Sequence, residues 1–196
     1  MAEQSIYGDH LPKMEALRDR LIESINEIRK HEKQIRGEDP VEHCLSRIKS
    51  EESMREKCRR KNLPETTESA LVEIHDGIGI RIVCAFLKDV FYFVNEIKLL
   101  QGGEVIEEKD YIKHAKKNGY RSYHMILRFD GKYFVEFQIR TISMDVWAAL
   151  EHQIKYKKNL GGNLELISSE LKRCADELAS TDLSMQTIRD MIQGEE

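Results

Sequence analysis

Apolar residues recur along this chain with two periods, and the change of period marks where helices give way to strands. Between 12 and 36, Met14, Leu17, Leu21, Ile25 and Ile28 fall three or four apart, which predicts an amphipathic helix. Asp39-Pro40-Val41-Glu42 has an acidic cap, a first-turn proline and a glutamate at the capping-box position, so a second helix is expected to start there. Further helices are expected over 51–60 and 67–74. IGIRIVCAF, residues 78–86, is short, β-branched and continuously apolar, the pattern of a buried strand. Val90, Val94, Ile97 and Leu100 return to helical spacing. Strand patterns follow over 104–112, 120–129 and 132–140, the last two joined by the tight-turn pair Asp130-Gly131. Met144, Trp147, Leu150 and Ile154 predict a helix over 142–158. After Gly161-Gly162 a long final helix, with room for a break, carries Leu171, Cys174, Leu178, Met185, Ile188 and Ile192. The order of elements predicts one α/β domain on a mixed sheet with helical arms at both ends. The divisions are an arm over 1–38, the domain over 39–160 and a C-terminal helical segment over 161–196.

Composition narrows the class without naming a chemistry. With 196 residues, 40% hydrophobic and 34% charged, the chain can bury one sizeable core. No apolar run approaches the ~18 residues of a membrane span, and the first residues lack a signal-peptide architecture, so a cytoplasmic protein is expected. The four cysteines are scattered and never form CxxC, which fits reduced, packed thiols. The net charge of −4 argues against DNA, yet residues 44–128 carry 16 basic and 13 acidic groups. A local positive field in an acidic protein suits a small, highly charged anion better than a long polymer.

The chemistry-bearing residues sit on the strands and beside them. In FVEFQIRT, residues 134–141, Val135, Phe137 and Ile139 alternate with Glu136, Gln138 and Arg140, so one face is apolar and the other holds an acid, an amide and a guanidinium. The preceding strand offers Tyr120, Ser122 and His124 toward the same polar floor. A solvated outer face is the ordinary reading of such alternation, but a carboxylate, an imidazole and a phenol together are unusual for one. Asp76, just before the buried strand and followed by Gly77 and Gly79, is an ordinary turn residue on its own. With Glu136 it could hold a divalent cation, since hard cations take oxygen ligands. Arg47 and Lys49, then Ser53 and Lys57 one helical turn apart, could present cations and a hydroxyl to phosphates, although such charge runs are usually solvated faces. Lys116 and Asn118 flank a turn before Tyr120, whose ring could stack on a base. Neither a GxxxxGK[ST] loop nor a GxGxxG fingerprint is present, and His75-Asp76 lacks the further ligands of a metal phosphohydrolase. His43, Trp147, Glu151 and His152 are assigned to packing or capping.

These segments occur in one order. RIKSEESMREK, HDGIGIRIV, KDYIKHAKKNGYRSYH, VEFQIRT and MDVWAALEHQIKYK together resemble the RelA/SpoT synthetase domain, and the chain resembles a small alarmone synthetase of that family from about Asp39 onward. The resemblance implies a mixed five-stranded, nucleotidyltransferase-like sheet flanked by helices, and a cytoplasmic homotetramer. It implies transfer of the β,γ-pyrophosphate of ATP to the 3′-hydroxyl of GDP or GTP, giving AMP and ppGpp or pppGpp. By motif position, Arg47 and Arg81 would sandwich adenine, while Lys49, Ser53 and Lys57 would hold ATP phosphates. Asp76 and Glu136 would hold Mg²⁺, with Glu136 also drawing the proton from the 3′-hydroxyl. Tyr120 would stack on guanine, near Lys116, Asn118, His124 and Gln138.

Two rivals follow from the same residues. A toxin of this fold would place pyrophosphate on the tRNA 3′ end or on an adenosine nucleotide. A catalytically inactive nucleotide- or RNA-binding oligomer would keep the fold and lose the carboxylates. The small positive surplus and the intact Asn118-Gly119-Tyr120 element favour a free guanosine acceptor over the first. The presence of Asp76, Glu136 and the Arg47–Lys57 set opposes the second. Single-stranded RNA or tRNA is compatible with the basic motifs as a further partner.

Overall fold

In a computed structural model that describes residues 5–156 and 164–194, every predicted strand forms and one predicted helix start does not. Helix α1 spans Leu11–Arg36, α2 Glu51–Arg60, α3 Leu87–Lys98, α4 Ile142–Tyr156 and α5 Leu164–Gln193. Strands are β1 Val41–Ile48, β2 Ile78–Cys84, β3 Gly103–Asp110, β4 Tyr123–Phe129 and β5 Tyr133–Thr141. A short π-helical stretch, Ser69–Glu73, precedes β2.

The exception is the Asp39–Glu42 signature, which begins a strand rather than a helix. Asp39 does act as a local cap, its Oδ1 accepting from the Val41 amide at 3.0 Å and its carboxylate taking Arg29. Its carboxyl faces a burial cost that those hydrogen bonds outweigh, so it is held below the usual aspartate range. Beyond it the backbone of Val41–Ile48 pairs antiparallel with β2, and the ladder overrides the local helix signal.

The sheet order is β1-β2-β5-β4-β3, with β2 and β5 parallel and the other pairs antiparallel. One face is the core: Ile78, Ile80, Ile82, Val135, Phe137, Ile139, Met125 and Leu127 pack with Met14, Leu17, Leu21 and Ile25 of α1 and Val90, Phe93, Val94 and Ile97 of α3. The segment expected as an N-terminal arm therefore shares the central core. The other face carries the polar alternation and is partly roofed by α4, which buries Met144 and Trp147 and leaves Val146 and Leu150 exposed. Thr141 caps α4: its Oγ1 accepts from the Met144 amide at 3.2 Å and donates to Asp182 of α5 at 2.6 Å.

Helix α5 is continuous over its described length and packs inside out. It buries Ala175, Asp182, Gln186 and Arg189 against the domain, while Leu183, Met185, Ile188, Met191 and Ile192 are exposed. Its C-terminal half is held by charge: Asp89, fully buried at the start of α3, receives Arg189 at 2.7 Å and Arg36 of α1 at 3.0 Å. The expected turn at Gly161-Gly162 and the boundary beside it lie outside the described residues.

Removing Asp89 takes the shared buried carboxylate from two guanidiniums, leaving Arg189 with Glu38 at 2.7 Å and Arg36 with Glu32 at 2.6 Å. Asp89→Ala should therefore lower the unfolding free energy by about 3–5 kcal/mol, measured as a drop in the urea midpoint.

Candidate active site

The open face of the sheet aligns the candidate residues in rows set by strand register. Arg47 of β1, Gly79 of β2 and Glu136 of β5 are consecutive partners across the sheet. In the next row lie Leu45, Arg81, Gln138 and His124. Gly79 leaves the sheet surface bare there, and the Arg47 side chain lies across it, its Cγ 3.9 Å from where a Cβ would stand. The resulting cleft, about 190 Å³, is lined by Leu45, Arg47, Arg81, Gln138, Asp76 and Glu136.

Asp76 sits in the turn that enters β2. Its Oδ2 is 2.5 Å from Lys57 Nζ and 3.3 Å from Lys49 Nζ, while its buried Oδ1 has no hydrogen-bond partner. Burial pushes its carboxyl up, but Lys57 and Lys49 outweigh this and hold it below the ordinary aspartate range. The lysines are positioned from two directions. The Lys49 amide donates to Gly77 O at 2.8 Å, and its carbonyl accepts from the buried Tyr7 hydroxyl at 2.5 Å. Lys57 lies one turn after Ser53 on α2, whose start is capped by Ser50 accepting from the Ser53 amide at 3.3 Å. Ser53 itself is exposed, its hydroxyl 2.9 Å from Ser50 Oγ.

Glu136 is the centre of a hydrogen-bonded chain. Its Oε2 accepts from Gln138 Nε2 at 2.9 Å, and Gln138 Oε1 accepts from Arg140 Nη2 at 2.9 Å, which fixes the orientation of the amide. On the other side, His124 Nδ1 is 3.5 Å from Glu136 Oε1, and His124 Nε2 is 2.8 Å from the Tyr120 hydroxyl. A carboxylate only accepts, so Nδ1 carries the proton and Nε2 accepts from Tyr120. Burial raises the Glu136 carboxyl, yet His124 and Gln138 more than offset it, and the group sits below its usual range. Both carboxylates are thus ionised at neutral pH.

The remaining predicted residues surround Tyr120. Lys116 Nζ stands 4.4 Å from the Tyr111 ring centre and 4.8 Å from that of Tyr120. Asn118 Oδ1 accepts from the Tyr120 amide at 3.2 Å, and its Nδ2 donates to Glu151 at 3.0 Å. Tyr120 packs edge-on to Trp147 at 6.3 Å, and burial pushes its phenol up. Trp147 and Glu151, assigned to packing and capping from sequence, thus also support the site. Ser122 is fully buried beneath the polar floor, donating to Ile139 O at 3.3 Å and lying within hydrogen-bonding reach of Tyr120. The segment carrying Tyr120 and Ser122 precedes β4, which begins at Tyr123.

Three contributors escaped the sequence reading. Arg140, 2% exposed, was visible in the alternation of FVEFQIRT but carried no assigned task. Asp145, in the first turn of α4, lies 3.5 Å from Arg81, 3.5 Å from Arg140 and 3.6 Å from His43. Tyr7 had no sequence signal.

Among the described residues no three His, Cys, Asp or Glu side chains converge as a metal cage. The free Asp76 Oδ1 and the Glu136 carboxylate fit a hard cation that takes its other oxygens from substrate phosphates and water.

Two arginines and two ionised carboxylates line one cleft on a mixed sheet, with Lys49 and Lys57 on Asp76, a charge arrangement suited to phosphate groups, and the comparisons identify the class. The model of the region found in RelA/SpoT proteins matches residues 46–161. The GTP pyrophosphokinase YwaC of Bacillus subtilis is 42% identical over 149 residues, 72% of this chain and 70% of the relative. YjbM of the same organism, also a GTP pyrophosphokinase, is 32% identical over 162 residues, 79% of this chain and 74% of the relative. The crystal structure of small alarmone synthetase 1 from B. subtilis bound to its product pppGpp superposes with a TM-score of 0.82 at 28% identity, covering 94% of this chain and 96% of that one. Small alarmone synthetase 2 from the same organism gives 0.80 at 35%, covering 93% and 97%. The chain belongs to the RelA/SpoT family. No described helix is long and apolar enough to cross a membrane.

Lys57→Met removes the nearest cation from Asp76, so the Asp76 carboxyl must rise toward its ordinary value, read by NMR titration of labelled aspartate. Its depressed folded value contributes stability that is complete above the unfolded value near ~4. That contribution is lost as pH falls through the folded value, so the variant should lose less stability on acidification than the wild type.

Proposed function

We propose that this protein is a (p)ppGpp synthetase, transferring the β,γ-pyrophosphoryl group of ATP to the 3′-hydroxyl of GDP or GTP. The observation that carries the reading is the convergence of Asp76, Glu136, Arg47 and Arg81 in one cleft, in a chain of this family. The 3′-oxygen attacks the β-phosphorus, the bond from that phosphorus to the α,β-bridging oxygen breaks, and AMP departs. Arg47 and Arg81 stand in adjacent rows of β1 and β2, both lining the cleft, and hold adenine between their guanidinium planes. Lys49, Lys57 and Ser53 take the phosphates, two lysines leaving Asp76 as phosphate oxygens arrive. Glu136 accepts the 3′-hydroxyl proton, with Gln138 and His124 holding its carboxylate ready. Tyr120 stacks on guanine, with Lys116 and Asn118 beside it. Mg²⁺ held by Asp76 and Glu136 would offset charge on the transferred oxygens.

The exposed Leu183, Ile188, Met191 and Ile192 of α5 support a homo-oligomer, a homotetramer in this reading, because an apolar stripe of that length gains by burial against a second copy. A cytoplasmic location accords with the soluble, nucleotide-handling design.

Incubating the protein with Mg²⁺, ATP labelled at the γ-phosphate and GDP, GTP, AMP or tRNA should label a guanosine tetra- or pentaphosphate. Glu136→Gln should cut the rate by about 10²–10⁴ without lowering the thermal midpoint. Label on tRNA or AMP alone would assign the acceptor differently, and no transfer would make the cleft a binding site. Met191→Glu with Ile192→Glu should reduce the mass seen by light scattering toward the monomer.

A further inference from the structure

Residues 111–122, which carry Lys116, Asn118 and Tyr120, form the irregular connection between β3 and β4 rather than part of the sheet. Strand hydrogen bonding therefore does not place Tyr120, and something else must. Within the connection, the Gly119 amide donates to Lys116 O at 2.8 Å and the Lys116 amide to Tyr120 O at 3.1 Å, closing a tight turn. Lys113, His114, Ala115, Lys116 and Lys117 on its outer side are exposed.

The inner side of the turn is fastened to α5. Arg121 donates from Nη1 to Gly119 O at 3.1 Å and to Ala175 O at 3.2 Å, and from Nη2 to Asp176 Oδ1 at 2.8 Å. A single guanidinium thus joins the backbone of the turn, a mid-helix carbonyl and a helix carboxylate. One turn earlier on α5, Leu171 O accepts from Trp147 Nε1 at 2.8 Å, and the Trp147 ring packs on Tyr120. The fit at the junction is close. Gly119 has φ +92°, and a Cβ there would stand 2.6 Å from Ala175 Cβ and 3.2 Å from Lys172 Cα. Only glycine meets both demands, a left-handed backbone and no side chain against the helix.

We propose that Arg121 is a positioning residue for the acceptor nucleotide, clamping the Asn118–Tyr120 turn onto α5 so that Tyr120 is already in its stacking position before the nucleotide arrives. The inference rests on the assignment of this turn to the guanosine nucleotide above. Its physical content is preorganisation. An unclamped turn must be ordered at binding, and apparent affinity falls by the fraction of chains in which the turn is competent. The adenine side of the cleft, built on β1, β2 and α2, does not use the clamp. Arg121 is therefore expected to govern the Michaelis constant for one substrate and not the other.

The test is steady-state kinetics of the full chain with Mg²⁺, varying GDP at saturating ATP and ATP at saturating GDP. Arg121→Gln should raise KM for GDP about tenfold, corresponding to a competent fraction of about a tenth, and leave KM for ATP within about twofold. Arg121→Lys keeps the charge without the fork and should recover part of the loss. Asp176→Ala, on the exposed side of α5, should raise the same KM by a smaller factor. Combined with Arg121→Gln it should add less than its separate effect, because both act through one contact; this arm stands if Arg121→Gln does not fold. Equal rises in both KM values, or a fall in kcat with unchanged KM, would mean a merely structural role and overturn the proposal. If the wild type makes no guanosine product, the functional assignment fails, and GDP binding followed by Trp147 fluorescence tests the clamp directly. Equal affinity of wild type and Arg121→Gln would then overturn it, and absence of GDP binding to the wild type would overturn both.

Discussion

The parallel pairing of β2 with β5 is the constraint on which the site depends. It sets Gly79 beside Glu136 and Arg81 beside Gln138, joining segments nearly sixty positions apart in the chain. Side chains alternate with period two, so a slip of one residue would turn Glu136 and Gln138 into the core and expose Val135, Phe137 and Ile139. Those three are fully buried, and their burial holds the register that aims the carboxylate into the cleft. Core packing and the geometry of the cleft are two faces of the same strand.

Bringing two carboxylates into one half-buried cleft has an electrostatic cost, and each is met by different partners. Asp76 is balanced by ammonium groups, Lys57 and Lys49. Glu136 is balanced by hydrogen-bond donors, Gln138 and His124, with Arg140 behind Gln138. The difference matters chemically. Lysines can leave a carboxylate for phosphate oxygens, whereas a fixed amide keeps a carboxylate in one orientation.

Helix α5 inverts the usual amphipathic arrangement. Its inward residues include Asp182, Gln186 and Arg189, which bond Thr141, the Lys88 amide and Asp89, while Leu183, Met185, Ile188, Met191 and Ile192 of its C-terminal half face outward. Polar docking fixes the helix by directional bonds, so the same helix can serve as a rigid anchor for the Asn118–Tyr120 turn. Its apolar side remains for another surface.

Most elements were legible from sequence because burial imposes period. The alternation in FVEFQIRT, the apolar run of β2 and the Asp130-Gly131 turn each report a local backbone state and a face, and the order of motifs pointed to the family. The start of β1 was not legible, because the Asp39–Glu42 cap satisfies a helix and a strand turn equally until β2 supplies its ladder. The burial of Ser122, the roofing by Asp145 and Trp147 and the clamp at Arg121 were not legible either. Each depends on contacts between segments far apart in the chain, and local periodicity carries no information about them. The sequence by itself determined which residues face together along each strand and helix. Tertiary structure alone decided which faces meet, because that choice is made by packing and charge pairing across the whole chain.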